Sequence, residues 1–286
     1  MSLLEDIKEL RARDASDFSE IIRLGLLARD AVQRLDPTIL AINHSSGDYL
    51  IYKRRRGRKD EYTRPVSKKI YVSDTETLKK IIQNSFDGDW NPSLSADLEK
   101  AIYTIVQDVA CYLDFFDPRG ARKAVGTFFE GVIASVINRV TNQTVLSGTT
   151  AIPGIDSTLR IDLSVSDPEG ILLLVATKTS TRERLSQPFV QALISSRVLK
   201  QDTPAKSILI VLGDVQRKET NSTQQIQHTF TAGQFPLYSE HVFKLDGTYY
   251  FDIPPQAASL VSEGLMKPFS SLLLGDLSGF VTRPKP

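Results

Sequence analysis

The stretch Arg160–Ser186, RIDLSVSDPEGILLLVATKTSTRERLS, most narrows what this 286-residue chain can become. Ile161, Leu163 and Val165 alternate with Asp162 and Ser164, the two-residue period of a half-buried strand over Leu159–Ser166. Asp167-Pro168-Glu169-Gly170 carries turn chemistry, because proline presets its own φ and glycine tolerates positive φ. Ile171–Thr179 opens with ILLLVA, the apolar run of a strand covered on both faces. In a hairpin the start of one strand lies opposite the end of the other, so Asp162 is expected close to Lys178.

A carboxylate and an ammonium at the end of a buried sheet suit phosphodiester hydrolysis. The carboxylate can hold a divalent metal that polarises the phosphate and acidifies a bound water. The lysine can neutralise charge growing on the phosphoryl oxygens or orient the water. The competing reading is an ordinary cross-strand ion pair, and strand spacing alone favours it.

Asp162 with Ala176-Thr177-Lys178 resembles, in degenerate form, the PD-(D/E)XK nuclease motif. Ile161 stands at the motif's proline and Ala176 at its usual second acid. One branch of the type II restriction endonucleases lacks this acid and recruits a glutamate from the preceding helix, in a small-x-Phe-Glu context. Gly126-Thr127-Phe128-Phe129-Glu130 is similar to that context. The same branch follows its lysine with a basic-acidic-arginine triplet that reads a CC/GG core, and Arg182-Glu183-Arg184 looks like it. The likeness spans roughly Arg119–Asp214, where the reading helix, three strands, helix, strand matches the αβββαβ nuclease core.

The resemblance implies an α/β (α+β) fold with a PD-(D/E)XK restriction-endonuclease-like core, a mixed central sheet flanked by helices. It implies Mg²⁺-dependent cleavage of double-stranded DNA at a palindromic site, CCGG or CC and GG separated by one or a few base pairs. Asp162 would be the central metal ligand, Glu130 would complete the site, and Lys178 would sit beside the attacking water. Asp156 is a reserve ligand, more simply read as a loop residue. Arg182, Glu183 and Arg184 would read bases: arginine bonds guanine O6 and N7, and glutamate accepts from cytosine N4. A palindrome implies a two-fold homodimer, or a tetramer built from such dimers. Two alternatives stand beside this. One is a repair or recombination nuclease of the same fold. The other, favoured by Ala176, is a catalytically silent sequence-specific DNA-binding protein.

Charge neither demands nor excludes nucleic acid, since 35 Lys and Arg face 34 Asp and Glu. Any footprint must therefore be local. Its candidate is Arg54, Arg55, Arg56, Arg58, Lys59 and Arg64, opposed only by Asp60 and Glu61 and set between the strand-like DYLIYK and KKIYVS. Such an arm could track phosphates and release counterions. The alternative is a solvated loop. A single cysteine, Cys111, excludes an internal disulfide and suits a reducing cytoplasm. The N-terminus lacks a signal-peptide apolar region, and no apolar run reaches membrane-spanning length, so no membrane partner is expected. His44, His228 and His241 are scattered and read as structural or exposed.

Two regions are expected: a mostly helical N-terminal part over 1–117, carrying the basic hairpin arm at about 48–73, and the core over 118–286 with a C-terminal docking or dimerisation segment. Periodicity places helices over Ser2–Leu35, Thr75–Asn84, Leu94–Phe116, Arg119–Arg139 and Arg184–Lys200. Gly126 would let its helix approach the sheet closely, and Trp90 reads as a packing anchor. Further strands are expected at Gln143–Ala151 and Ser207–Leu212. Asn43–Gly47 reads as a polar loop and Asn221–Thr231 as a polar helix or loop. His241–Leu245 and Tyr249–Ile253 read as a hairpin, and the apolar tail Pro268–Val281 as docking on the core or on a second subunit.

Overall fold

The computed structural model describes residues 3–10, 18–44, 47–151, 158–199, 204–220 and 223–282. Helices α1 (Leu3–Leu10) and α2 (Phe18–Gln33) lead into a small antiparallel sheet of β1 (Thr38–His44), β2 (Gly47–Arg56), β3 (Lys59–Tyr62) and β4 (Val66–Ser67). Three helices follow, α3 (Thr75–Phe86), α4 (Ser95–Phe116) and α5 (Ala121–Thr141). Next come strands β5 (Val145–Ala151), β6 (Thr158–Asp167) and β7 (Gly170–Lys178), a 3-10 turn at Arg182–Arg184, and α6 (Ser186–Val198). The chain continues through β8 (Lys206–Gly213), β9 (Val215–Thr220), β10 (Thr223–His228), α7 (Gln234–His241), β11 (Gly247–Asp252), α8 (Ala258–Ser262) and β12 (Lys267–Pro268). Short helical turns occupy 269–280.

The main sheet has the order β12-β11-β8-β7-β6-β5. β5, β6 and β7 run antiparallel, and β8, β11 and β12 extend the sheet in parallel from β7. β7 is buried continuously from Leu172 to Thr177 because helices cover both of its faces. On one side Phe128, Phe129, Val132 and Val136 of α5 share a core with Leu163, Val165, Leu173 and Val175. On the other, Leu185 and Phe189 pack with Ala176, Leu209, Val211 and Tyr250. The expected mixed sheet flanked by helices is therefore present, and Trp90 packs at the edge of the large core.

α4 runs through the centre of the N-terminal half, with Ile102, Ile105, Val106 and Val109 buried. α2 lies against it at Gly25, where an added Cβ would come within 2.9 Å of the Ile105 Cβ. The large core draws on residues from Leu3 to Val281, so it joins the two expected regions. Arg29 and Asp108 form a buried ion pair at 3.3 Å, and Tyr71 donates to Asp108 at 2.6 Å. Burial pushes the Asp108 carboxyl up to about 6, against the pull of Arg29.

Several local expectations are corrected. Thr38–His44, partly read as loop, is a full strand in register with β2, from Thr38↔Lys53 to His44↔Gly47. Lys68–Ser73 is not a strand. Arg29 donates to the Val72 and Ser73 carbonyls, and the Val72 amide donates to Thr104 Oγ1 at 2.9 Å. Side chains from two helices thus satisfy backbone groups that a ladder would otherwise use. On the side away from β1, β2 pairs instead with β3, reached through Gly57 at φ +63°, and with the short β4. Within the span 221–231, read as helix or loop, Thr223–His228 forms strand β10. His241 ends helix α7, and β11 pairs in parallel with β8 instead of folding back on 241–245. The tail docks on the core of its own chain through Phe269, Leu272, Leu273 and Leu277. Among the described residues no helix is long and apolar enough to cross a membrane.

Candidate active site

Antiparallel pairing of β6 with β7, through Leu163↔Val175, places Asp162 beside the end of β7. Lys178, the last residue of β7, pairs in parallel register with Val211 of β8. The pair therefore sits where the parallel strands end, the edge at which ligands of such sheets bind. Asp162 Oδ2 accepts from the Thr177 amide at 2.9 Å and from Lys178 Nζ at 2.5 Å. The side chains are only 13% and 10% exposed, so water screens the contact weakly. Both bonds fall on Oδ2. The Thr177 hydroxyl is buried and has no hydrogen-bond partner among the described residues.

Four residues past Lys178, the 3-10 turn Arg182–Arg184 is held by a residue the sequence reading did not single out. Asp214, fully buried just after β8, accepts from Ser180 Oγ at 2.9 Å and the Thr181 amide at 2.6 Å. It also accepts from Thr181 Oγ1 at 2.7 Å and Tyr250 Oη at 3.1 Å. Burial and the adjacent Asp214 carboxylate push the Tyr250 phenol well above its ordinary range. The Arg184 amide closes the turn on the Thr181 carbonyl at 2.6 Å. Arg182 sits at φ +28°, a region that side-chain-bearing residues seldom occupy. A non-glycine residue stays there only when its surroundings enforce it, and the Asp214 clamp lies immediately upstream. The signal in the sequence was an aspartate directly after the buried strand SILIVLG, at the sheet's ligand edge. Arg182 and Arg184 are exposed, while Leu185 behind them is buried.

Glu130 lies half-buried on α5, the helix that covers β5–β7. Its neighbour Phe129 packs edge-on against Phe251, with ring centroids 5.9 Å apart. Gly126, one turn earlier, does not serve a close approach as expected: a Cβ there would meet nothing within 4 Å. The side chain of Glu183 and the whole of Asp156 lie outside the described residues. On the α6 side, Gln191 donates from Nε2 to the Arg160 carbonyl at 2.9 Å, two residues before Asp162. Among the described residues no group of three His, Cys, Asp or Glu side chains could hold a metal ion. A single carboxylate whose two hydrogen bonds both fall on Oδ2 still fits Mg²⁺. That ion commonly takes one or two carboxylates and completes its shell with phosphate oxygens and water.

The basic segment is the β2–β3 hairpin, pinned to the end of α4. Arg54 donates to Glu61 at 2.6 Å and to the Phe115 carbonyl at 2.7 Å, and its guanidinium lies over the Phe115 and Phe116 rings. Lys53 pairs with Asp60 at 2.8 Å, and Arg64 with Asp114 at 2.8 Å. Arg55, Arg56, Arg58 and Lys59 are exposed. The hairpin rims a cleft of about 730 Å³ lined by Lys53 through Arg56, Phe115 and Phe116 among others, and none of its lining residues belongs to the Asp162–Lys178 site.

No protein-family model and no curated protein matches the chain. Among solved structures, the chain is similar to the crystal structure of the Type IIP restriction endonuclease Kpn2I, with a TM-score of 0.76. The alignment covers 97% of each chain at 21% sequence identity. The two chains share a fold.

Proposed function

Proceeding from a fold shared with a restriction endonuclease, we propose that this chain is a type II restriction endonuclease. It cleaves double-stranded DNA, with Mg²⁺, at a palindromic site with a CC/GG core. The observation that carries the reading is the 2.5 Å contact between Asp162 and Lys178 at the sheet's ligand edge.

Asp162 and Glu130 are the residues assigned to hold the cation. When bound, Mg²⁺ supplies Lewis-acid polarisation of the phosphate and lowers the pKa of a water. The remaining steps belong to the chain itself. The Thr177 amide fixes the Asp162 carboxylate. Lys178, held by Asp162 in a poorly screened setting, presents its ammonium to the phosphoryl oxygens, where charge grows in the transition state. Arg182 and Arg184 bond guanine edges and Glu183 accepts from cytosine N4, so reading and cutting are joined by the short loop 179–181. Arg55, Arg56, Arg58 and Lys59 contact the phosphate backbone. Arg54, already bonded to Glu61 and Phe115, chiefly positions that hairpin. A two-fold dimer, or a tetramer of such dimers, would cut both strands of the palindrome.

A second reading is supported by Ala176 and by the lack of a three-residue ligand group among the described residues: a DNA-binding protein without cleavage. Plasmid incubated with the protein and Mg²⁺ separates the two. The nuclease reading expects discrete fragments from the wild type and none from Asp162→Ala or Lys178→Ala, with both variants still shifting a target duplex. Glu130→Gln should likewise lose cleavage and keep binding. Turnover retained in both the Asp162 and Lys178 variants would reject the site, and a gel shift without cutting by the wild type would favour the silent reading.

A further inference from the structure

The β9–β10 ribbon is the element the sequence least anticipated, and it stands apart from the main sheet as a two-stranded pair. Its register, Val215↔His228 through Thr220↔Thr223, sorts its side chains onto two faces. The inner face docks on the small N-terminal sheet. Ile226 is buried with Tyr49 and Ile51, and the Arg217 guanidinium lies 5.1 Å from the Tyr62 ring centre. The outer face carries Gln216, Lys218, Gln225 and Gln227, closed by Thr220 and Thr223. It holds no carboxylate and no apolar side chain. Lys218, Gln225 and Gln227 are exposed, and Gln216 Nε2 donates to Gln227 Oε1 at 3.2 Å.

The ribbon is rooted in the residue that holds the Arg182–Arg184 turn. Asp214 directly precedes β9, and its carbonyl accepts from the Thr229 amide at 2.8 Å, closing the ribbon's base. Its carboxylate grips Thr181, next to Arg182. One buried residue therefore sets both elements relative to each other.

We infer that the outer face of the β9–β10 ribbon is a second DNA-reading surface, contacting base pairs that flank those read by Arg182–Arg184. A two-stranded ribbon fits the major groove, and glutamine, with a donor and an acceptor side by side, pairs bidentately with adenine N6 and N7. Gln225 and Gln227 are the base readers. Lys218, across the pair from Gln225, contacts phosphate. A solvated face of ordinary composition would mix both signs of charge; this one offers amides, hydroxyls and a single cation. The inference rests on the DNA-cleaving function proposed above.

The test is selection of duplexes from a random pool by the full-length protein without divalent metal. It compares the wild type, the Gln225→Ala/Gln227→Ala double variant and Lys218→Ala, each first checked for an unchanged thermal midpoint. The wild type should enrich a motif with a G·C core and defined flanks. The double variant should keep the core and lose roughly tenfold or more of its preference at one or more flanking positions. Lys218→Ala should weaken all sequences alike and reduce the steepness of the salt dependence by about one. An unchanged flanking preference in the double variant overturns the inference and leaves the nuclease reading intact. No enrichment by the wild type overturns both.

Discussion

Replacing Asp214 with alanine removes an acceptor shared by four donors, at 2.9, 2.6, 2.7 and 3.1 Å. The Thr181 amide is fixed by the backbone and buried, so it is left unsatisfied, at about 1–3 kcal/mol. The Thr181 and Tyr250 hydroxyls retain a contact with each other, so each loses only the net worth of its bond, about 1 kcal/mol. Ser180 is partly exposed and recovers most of its loss from water. Together these give a destabilisation of about 4 kcal/mol, or a fall in thermal midpoint of roughly 8 °C for a chain of this size. Asp214→Asn keeps an acceptor for the Ser180 hydroxyl and the Thr181 amide, so its loss should be nearer 1–2 kcal/mol. Thermal unfolding followed by circular dichroism measures both. Cleavage of duplexes carrying one altered base pair measures what the clamp does for reading: with Arg182 less constrained, discrimination should fall more than the rate on the preferred site. An Asp214→Ala protein melting within about 2 °C of the wild type would refute the bond-by-bond reasoning.

Two glycines should respond in opposite senses. Gly126→Ala, where the new methyl meets nothing within 4 Å of its Cβ, should raise stability by about 0.5–1 kcal/mol. Gly25→Ala drives a methyl to within 2.9 Å of Ile105 and should cost about 1–3 kcal/mol. Urea midpoints that rank the two the other way would contradict the packing. Burial lifts the Asp252 carboxyl to about 6, above its unfolded value near 4. The native state therefore binds the proton more tightly, and stability should fall as pH rises from about 4 to about 6, then level off. Asp252→Asn should flatten that slope. Asp108, also raised to about 6, acts equally in both proteins, so parallel stability–pH profiles would show that Asp252 does not contribute. Arg29→Ala leaves the buried Asp108 carboxylate without its ion-pair partner and should cost about 3–5 kcal/mol at pH 7.5. The loss should shrink at pH 5, where Asp108 takes up a proton; an equal loss at both pH values would count against this.

Local pattern was enough for the central hairpin and for helices α1 to α6, though not for α7. Alternation in IDLSV and the apolar run ILLLVA bracket a proline-glycine turn, and that arrangement alone requires Asp162 and Lys178 to meet. The stripes on α4 and α5 likewise needed no partner to be read, because a helix that buries one face writes a 3.6-residue period into its sequence. The fold class followed from the motif resemblance, which the order of these elements matched. What local pattern could not supply was anything set by a distant partner. KKIYVS has strand composition, yet Arg29 and Thr104 engage its backbone groups. YYFD of β11 could have paired with either neighbour, and only the sheet decided on parallel pairing with β8. Gln216–His228 alternates weakly because its apolar contacts, Tyr49 and Ile51, lie more than 160 residues away in sequence.

The chain's own order of residues thus determined that a carboxylate and an ammonium would meet at a buried sheet's end, since neighbouring strands joined by a tight turn have almost no choice of register. The tertiary structure alone decided what holds the segment after Lys178. Asp214 reaches Thr181 across 33 residues because parallel strands β7 and β8 end side by side. That juxtaposition depends on a crossover helix and a shared core: the apolar run SILIVL before position 214 marks a buried strand but does not say which strand it lies beside.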